Sequence, residues 1–293
     1  MDKIFTIANR HITVTASRLG AELQEIKGAD GTMFLWQGDP TIWKGRSPNL
    51  FPYIARLTEG RYTYKGRSYK LPIHGFAPTS EFKITYLDKA KMIFSLSSSG
   101  ETLKIYPFEF LFEVIYEIDE NTLALTYVVK NLTQDTMYFG VGAHPGFNIP
   151  LEPSECFEDY YLDFGEPCSI VRIGFSEDCF LNGEDKPFYL EDKQRLALSH
   201  NLFDNDAIVL KDMPKSVALK SKNGNRSISV YYPDMKYLGL WHTPRREANF
   251  VCIEPWSSLP SRKGVVEDLE HQKDLISLPS GGSYRNTITL TFI

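Results

Sequence analysis

Alternation of apolar and polar residues is the strongest pattern along the chain, and it predicts β-strands. In segment 108–118 every even-numbered residue is apolar, whereas Glu109, Glu113 and Glu117 occupy odd positions. Successive side chains of a strand point to opposite faces, so this segment is predicted to be a strand with one fully buried face. The same two-residue period recurs in segments 82–86, 92–96, 123–129 and 288–292.

Turn-forming sequences separate these runs and predict how the strands connect. They lie at 27–31, 88–89, 119–121 and 222–225, the last containing an Asn-Gly pair. Strands that follow one another at such short intervals indicate antiparallel sheets. Helical periodicity is scarce, and the best predicted helix spans 263–275, where Val265, Val266 and Leu269 would form a short apolar stripe.

The whole chain, residues 1–293, is predicted to form a single all-β domain, because it contains no internal repeat, low-complexity tract or linker-like stretch. A closed barrel or a sandwich would fit the strand pattern. The length favours the larger architecture, an antiparallel β-sandwich of two extended sheets.

Composition narrows the classes of ligand. The chain has 32 basic and 37 acidic residues, a net charge of −5, and no cluster of Lys and Arg. Because nucleic-acid binding depends on clustered basic residues that neutralise phosphates, we expect no nucleic-acid partner. Hydrophobic residues at 42% and charged residues at 24% are typical of an ordinary globular protein. The aromatic content of 13% favours strands and pockets with flat walls.

The N-terminal segment reaches polar residues before any apolar stretch of signal-peptide length, and no later stretch is long enough to span a membrane. We therefore expect a cytoplasmic protein without membrane contact. The four cysteines are few and form no metal-binding pattern, so buried or idle thiols are expected rather than disulfides or metal ligands. The sequence leaves monomer and homodimer equally open.

The candidate chemistry lies at the predicted ends of three strands. No phosphate-binding loop, dinucleotide motif or serine nucleophile elbow is present. Instead His74, His144 and Glu254 each end or follow an apolar run and precede Gly or Pro. A side chain at a strand end is held by the sheet and can face a partly sheltered cleft. A His and a Glu meeting there would form a general acid and base pair.

Singly, each of these residues has a structural explanation, since a lone His at a strand end is commonly a hydrogen-bonded core residue. Together, and in this order, they resemble the aldose 1-epimerase family, also called galactose mutarotase-like proteins. The resemblance extends over nearly the whole chain. It is carried by short motifs at 56–57, 60–71, 74–75 (His-Gly), 144–148 (His-Pro-Gly-Phe-Asn), 252–255 (Cys-Ile-Glu-Pro) and 278–284.

The resemblance implies a galactose mutarotase-like sandwich that binds a sugar in a cleft and interconverts its α and β anomers. Glu254 would take the proton from the C1 hydroxyl, and His144 would protonate the ring oxygen. His74 and Arg56 would hold the sugar hydroxyls and the ring oxygen. This chemistry needs neither a metal nor an organic cofactor.

Several positions depart from the family pattern and leave alternatives open. The sugar-contacting aspartate is either Asp204 or Asp206, and Asp206 is preferred because it directly precedes an apolar run. The His-Gly-Phe-Ala string at 74–77 is more similar to the hexose-6-phosphate 1-epimerase branch, in which Arg46 would approach the ligand. Pro78, however, stands where that branch has a phosphate-binding arginine. The overall pattern fits best a third branch, associated with sugar-utilisation operons.

Aromatic residues flank the predicted base. Trp256, the candidate for substrate binding, could stack on a sugar face or wall the cleft, and Trp241 could do the same. A place in the buried core is the alternative for both. His242 would contact ligand or cap a strand. The sequence thus predicts a mutarotase-like isomerase of a free hexose. A non-catalytic carbohydrate-binding or sugar-sensing protein and a hexose-6-phosphate 1-epimerase are the alternatives.

Overall fold

Strands dominate the fold of this chain. We describe a computed structural model, which covers residues 4–293. Its strands in chain order are β1 (Ile4–Ala8), β2 (Ile12–Ser17), β3 (Leu23–Gly28), β4 (Asn49–Leu50), β5 (Arg61–Tyr64), β6 (Arg67–Lys70), β7 (Lys83–Leu87), β8 (Lys91–Ser97), β9 (Phe110–Asp119), β10 (Thr122–Asn131), β11 (Met137–Phe139), β12 (Gly142–Ala143), β13 (Gly146–Asn148), β14 (Tyr160–Asp163), β15 (Ile170–Arg172), β16 (Lys186–Phe188), β17 (Arg195–Ala197), β18 (Ile208–Lys211), β19 (Ser216–Ser221), β20 (Ser227–Tyr231), β21 (Tyr237–Trp241), β22 (Phe250–Trp256), β23 (Ile276–Leu278) and β24 (Ser283–Phe292).

Two large sheets contain most of these strands, and the pairing within both is antiparallel, as predicted. One sheet has nine strands in the order β17-β14-β19-β20-β24-β10-β9-β8-β7. The other has eight in the order β16-β15-β18-β21-β22-β12-β4, with β13 also paired to β22. Three small sheets, β1-β2-β3, β5-β6 and β11-β23, cover their edges and ends.

The β9–β10 hairpin follows directly from the alternating pattern. Residues 108–118 bury every even-numbered side chain, and β10 pairs with β9 in the register Leu125↔Tyr116. The turn between them places Glu120 at a φ of 47°, the left-handed region that tight turns require. The predicted strand with one buried face is confirmed.

The two large sheets face each other across the main core. Tyr116 and Tyr127 of the nine-stranded sheet both hydrogen-bond to Asn49, on β4 of the eight-stranded sheet. Tyr127 also donates to the carbonyl of Gly142 on β12. Since these contacts join the inner faces of the two sheets, the fold is the predicted sandwich rather than a closed barrel.

The predicted helix at 263–275 is wrong, because the segment forms isolated turns and its middle pairs with β5. Thr63 N–H donates to the Glu267 carbonyl, and Leu269 N–H donates to the Thr63 carbonyl. The apolar stripe therefore packs an irregular segment against β5. The α-helix of the described residues is α1 (Gly100–Ile105), and short 3₁₀ turns lie at Thr58–Gly60, Ala77–Thr79, Phe157–Asp159 and His200–Phe203. No helix formed by residues 4–293 has the length and apolar character needed to cross a bilayer.

Candidate active site

Strand β22 delivers the candidate base to the outer face of the eight-stranded sheet. Val251 and Ile253 point into the core between the sheets. The alternate residues Cys252, Glu254 and Trp256 therefore point to the opposite face. Each residue of β22 is buried, so Glu254 reaches its cleft from a rigid, central strand.

The strand register brings His144 opposite Glu254. On the neighbouring chain segment Gly142 pairs with Trp256 and Gly146 pairs with Cys252, so position 144 falls across from position 254. Pro145 has no N–H to donate and interrupts the ladder between β12 and β13. The His-Pro sequence thus places an imidazole beside the carboxylate of the adjacent strand, where cross-strand side chains meet.

The two side chains form a close and incompletely satisfied pair. His144 Nε2 lies 3.3 Å from Glu254 Oε2, and the residues are only 8% and 1% exposed. The angles are not those of a hydrogen bond, and both Glu254 Oε2 and His144 Nδ1 lack a hydrogen-bond partner within residues 4–293. Buried polar atoms without partners are costly, so these atoms are suited to receive a ligand.

Burial shifts the pKa of each side chain in the direction that favours its neutral form. It raises the pKa of the Glu254 carboxyl well above its usual value, with a smaller contribution from the negative charge of Asp206. It lowers the pKa of His144 well below the usual value, with a contribution from His74. Burial therefore disfavours the charged form of each group, the carboxylate of Glu254 and the imidazolium of His144.

His74 stands beside His144 in a tight turn, with a ring-centroid separation of 5.5 Å. The Ala55 N–H donates to His74 Nδ1, which fixes the neutral tautomer with its proton on Nε2. Burial and the nearby Arg56 charge lower the pKa of His74 to about 4. The turn requires Gly75, since a Cβ there would lie 2.2 Å from the Phe51 carbonyl oxygen. His74 is therefore a neutral hydrogen-bond donor at pH 7.

Asp206 and Arg56 lie at the mouth of the same cleft. Asp206 has a φ of 70° in the turn before β18, and its Oδ1 accepts from the Ala207 N–H. Its Oδ2 lies 3.2 Å from Cys179 Sγ, which donates to it. Arg56 is exposed, and among residues 4–293 its guanidinium has no ion-pair or hydrogen-bond partner. Both groups are available to sugar hydroxyls.

Aromatic rings wall the cleft, which has a volume of about 360 Å³. The Trp43 indole stacks on the His144 ring at 5.1 Å, and Trp241 meets the same ring edge-on at 5.7 Å. Trp256 lies two residues beyond Glu254 on the same face of β22. Trp43 was not found by sequence reasoning, because it comes from a loop without periodicity or a neighbouring motif.

The structure brings seven of the residues named in the sequence analysis together around this cleft and leaves others outside it. The seven are Arg56, His74, His144, Asp206, Trp241, Glu254 and Trp256. Arg46 is elsewhere, because its guanidinium donates to the Gln24 carbonyl at 2.6 Å. Asp204 lines a neighbouring cavity, and His242 is buried among Phe157, Phe203 and His200.

His144, Cys252 and Glu254 also offer three possible metal-ligand atoms within 4.8 Å of one another. Burial raises the pKa of the Cys252 thiol, so a metal ion would have to displace its proton. The four cysteines are free thiols, and of these only Cys252 is buried.

The Glu254 and Trp256 side chains lie directly over Gly239 of β21, which leads to a prediction. A Cβ at position 239 would lie 3.0 Å from the Trp256 ring and 3.3 Å from Glu254 Cβ. We expect Gly239→Ala to destabilise the fold by about 1–3 kcal/mol and to slow any turnover that uses Glu254. Thermal unfolding and anomer-exchange assays check this. Gly100→Ala, at an open position in α1, is the control and should keep both the stability and the turnover of the wild type. Unchanged stability and turnover in Gly239→Ala would contradict the packing described.

A buried acid–base pair in an aromatic-walled cleft, mounted on a two-sheet sandwich, suits an enzyme that converts sugars. The comparisons with known proteins agree with that class. The chain belongs to the aldose 1-epimerase family, a family of isomerases, whose model matches residues 3–275. It is also 34% identical to the plasmid-encoded protein LacX of Lactococcus lactis subsp. lactis, over 96% of this chain and 98% of that protein.

Solved structures support the same assignment. The galactose mutarotase related enzyme from Lactobacillus acidophilus is 35% identical, with a TM-score of 0.94 over 99% of this chain and 97% of that one. A galactose mutarotase-like protein from Lactobacillus casei ATCC 334 is 28% identical, with a TM-score of 0.92 over 99% of this chain and 100% of that one. The predicted fold and the resemblance to operon-associated mutarotase-like proteins are confirmed.

Proposed function

We propose that this protein interconverts the α and β anomers of a free hexose by general acid–base catalysis. The observation that carries the proposal is the His144–Glu254 pair, buried 3.3 Å apart at the floor of a sugar-sized cleft. Anomer exchange needs one group to accept a proton while another donates one, and a carboxyl and an imidazole in contact provide both. Family membership supports the same assignment.

In the proposed reaction Glu254 takes the proton of the C1 hydroxyl as the bond from C1 to the ring oxygen breaks. The ring oxygen keeps the electron pair and receives a proton from His144. The open-chain aldehyde rotates about its C1–C2 bond. Closure on the other face returns the ring hydroxyl proton to His144 and the Glu254 proton to the C1 oxygen, which leaves the pair unchanged.

The pair must rearrange its proton to begin this reaction. Burial favours the neutral carboxyl and the neutral imidazole, whereas ring opening starts with the carboxylate ionised and His144 protonated. The two states differ by one proton moved between neighbouring atoms. Sugar hydroxyls hydrogen-bonded to the carboxylate favour its ionised form, and the Trp43 ring face favours an imidazolium. A bound sugar therefore prepares the pair for the reaction.

The remaining residues orient the substrate. The neutral His74 donates from Nε2, while Arg56 and Asp206 bind hydroxyls at the cleft mouth. Trp256 forms a wall against the apolar face of the pyranose. Arg46 takes no part in this proposal, because its guanidinium is bound to the Gln24 carbonyl.

A coupled pair that holds one proton predicts a bell-shaped pH dependence of kcat/KM. At low pH both groups are protonated and no base is available, so kcat/KM falls. The midpoint of this fall lies below the usual histidine pKa of 6.5, because burial lowers the pKa of His144. At high pH the shared proton is lost and no acid is available, so kcat/KM falls again. The midpoint of this second fall lies above the usual carboxyl pKa of 4.5, because burial raises the pKa of Glu254. Exchange rates measured between about pH 4 and 10 check this. Activity that only rises with pH would contradict a shared proton.

The proposed function is tested by anomer-exchange NMR on a panel of free aldoses and their 6-phosphates. Saturation transfer between the α and β anomeric protons measures the exchange directly. We expect at least one free aldose to exchange far above its spontaneous rate. Calorimetric sugar binding without accelerated exchange would instead favour a binding or sensing protein. Acceleration confined to the 6-phosphates would favour a hexose-phosphate epimerase.

A further inference from the structure

A third side chain, the thiol of Cys252, lies beside the acid–base pair and takes no part in the proposed reaction. Cys252 precedes Glu254 by two residues on β22, so both side chains point to the outer face of the eight-stranded sheet. The Cys252 side chain is fully buried among aromatic rings and does not line the cleft. The acid–base pair does line it, so a small ion that enters through the cleft meets the pair first.

The donor atoms of these three residues have the spacing of a small coordination site. His144, Cys252 and Glu254 each offer one donor atom, and these atoms lie within 4.8 Å of one another. In a tetrahedral zinc site with bonds of about 2.0–2.1 Å, an imidazole nitrogen and a carboxylate oxygen lie about 3.4 Å apart. His144 Nε2 and Glu254 Oε2 are 3.3 Å apart, so they already have this separation.

The thiol completes the same geometry after a small movement. A thiolate sulfur in a tetrahedral zinc site lies about 3.6 Å from a nitrogen or oxygen ligand, so a shift of about 1 Å brings Cys252 into place. Glu254 Oε2 is buried and has no hydrogen-bond partner within residues 4–293. A cation between the three side chains would satisfy this atom. The fourth corner of the tetrahedron would remain open for a water molecule.

The charge of the site fits a divalent cation. Burial raises the pKa of both the Cys252 thiol and the Glu254 carboxyl, so both favour their protonated forms. A divalent ion that displaces these two protons to solvent leaves the net charge of the buried site unchanged. The resulting ligands are a thiolate, a carboxylate and a neutral imidazole. This set suits Zn²⁺ or Cd²⁺, whereas Mg²⁺ and Ca²⁺ prefer oxygen ligands.

We propose that His144, Cys252 and Glu254 form an inhibitory Zn²⁺ site, in which the ion enters through the catalytic cleft and occupies the acid–base pair. The bound ion takes up the lone pair of His144 Nε2 and holds the Glu254 carboxylate. His144 then has no proton to give to the ring oxygen, and Glu254 cannot accept one from the C1 hydroxyl. Binding of the ion is independent of the proposed function, whereas the inhibition rests on it.

The site is tested by titrating the metal-free full chain, without an affinity tag, with Zn²⁺ and with Cd²⁺. Calorimetry should show one tight Zn²⁺ site per chain, and Cd²⁺ should produce the ultraviolet charge-transfer absorbance of a cadmium–thiolate bond. In exchange NMR, saturating Zn²⁺ should slow anomer exchange by at least about 100-fold, as expected when the acid and the base are both lost. Addition of EDTA should restore the rate.

Cys252→Ala removes one ligand and leaves the acid–base pair in place. It should retain anomer exchange without metal, lose the cadmium absorbance and require at least about tenfold more Zn²⁺ for half-inhibition. Cys252→Ser is the second variant, and thermal unfolding should show that each is folded. Cys179→Ala is the matched control, because Cys179 is a half-buried thiol that lines the cleft and contacts Asp206. It should keep the zinc sensitivity of the wild type.

Absence of inhibition, acceleration of exchange by Zn²⁺, or equal zinc sensitivity in the wild type and both Cys252 variants would overturn the proposed site. Loss of zinc sensitivity in Cys179→Ala alone would also overturn it and would place the ion at the cleft mouth. If no sugar is exchanged even without metal, the proposed function fails. The calorimetry and the cadmium absorbance of the wild type and Cys252→Ala then still decide whether the metal site exists.

Discussion

Replacing Glu254 with Gln is expected to slow anomer exchange by about 10³-fold. Gln has nearly the same shape but cannot accept the C1 hydroxyl proton. The other carboxylate lining the cleft, Asp206, already accepts hydrogen bonds from the Ala207 N–H and from Cys179 Sγ. Exchange NMR with saturating sugar measures the loss in kcat, and calorimetry shows whether the sugar still binds. Retention of more than about a tenth of the wild-type rate would contradict the assigned role.

The same substitution is expected to leave the fold intact or to stabilise it. Because burial raises the folded-state pKa of Glu254, ionisation of the unfolded chain costs stability as the pH rises, and Gln removes that cost. Glu267→Gln is the matched control. Glu267 is 3% exposed, and its carboxylate accepts from the Arg262 guanidinium. That variant should lower the unfolding temperature but keep the exchange rate of the folded protein.

Replacing His144 with Gln is expected to slow exchange by about 10²-fold to 10³-fold. The amide can reach the same region but cannot give a proton to the ring oxygen. We also expect the bell-shaped pH profile to disappear, since only one titrating group remains in the pair. The measurement is kcat/KM against pH for the variant and the wild type.

His11→Gln provides the control for this substitution. His11 lines no part of the cleft and contacts the Arg10 side chain near the surface. It should show the wild-type rate and profile. A His144→Gln variant that kept the wild-type pH profile would show that the titrating acid lies elsewhere.

The alternation of residues was sufficient to predict the sandwich. Segment 108–118 places the side chain of every even-numbered residue in the core, and the turn at 119–121 closes the β9–β10 hairpin inside the nine-stranded sheet. The helix predicted at 263–275 failed for a physical reason. Its apolar spacing fits a helix, but Glu267 and Leu269 in its middle exchange backbone hydrogen bonds with Thr63, which is distant in sequence.

Part of the site was also predictable, although Glu254 lies inside β22 and not at a strand end as predicted, because Pro255 and Trp256 continue the strand. His144 precedes Pro145 and Glu254 precedes Pro255, and each follows an apolar run. Their meeting depends on the register of β12 and β13 against β22, which a single sequence does not specify. The sequence therefore identified the two residues, and the structure shows that His144 Nε2 and Glu254 Oε2 lie 3.3 Å apart.

The positions of loop residues around the cleft could not be predicted from the sequence. Trp43 stacks on His144 because its loop folds across Gly146, where a Cβ would lie 2.9 Å from the indole. Arg46, three residues later, turns away to the Gln24 carbonyl. Both outcomes depend on tertiary packing that leaves no periodic signal.

The most direct test of the shared-proton pair is the exchange rate of the double variant His144→Gln/Glu254→Gln beside the two single variants. Groups that act as one unit give strongly non-additive losses. We expect the double variant to be no slower than the Glu254→Gln variant within error. Losses that multiply, so that each substitution costs its full factor in the background of the other, would contradict a single catalytic pair.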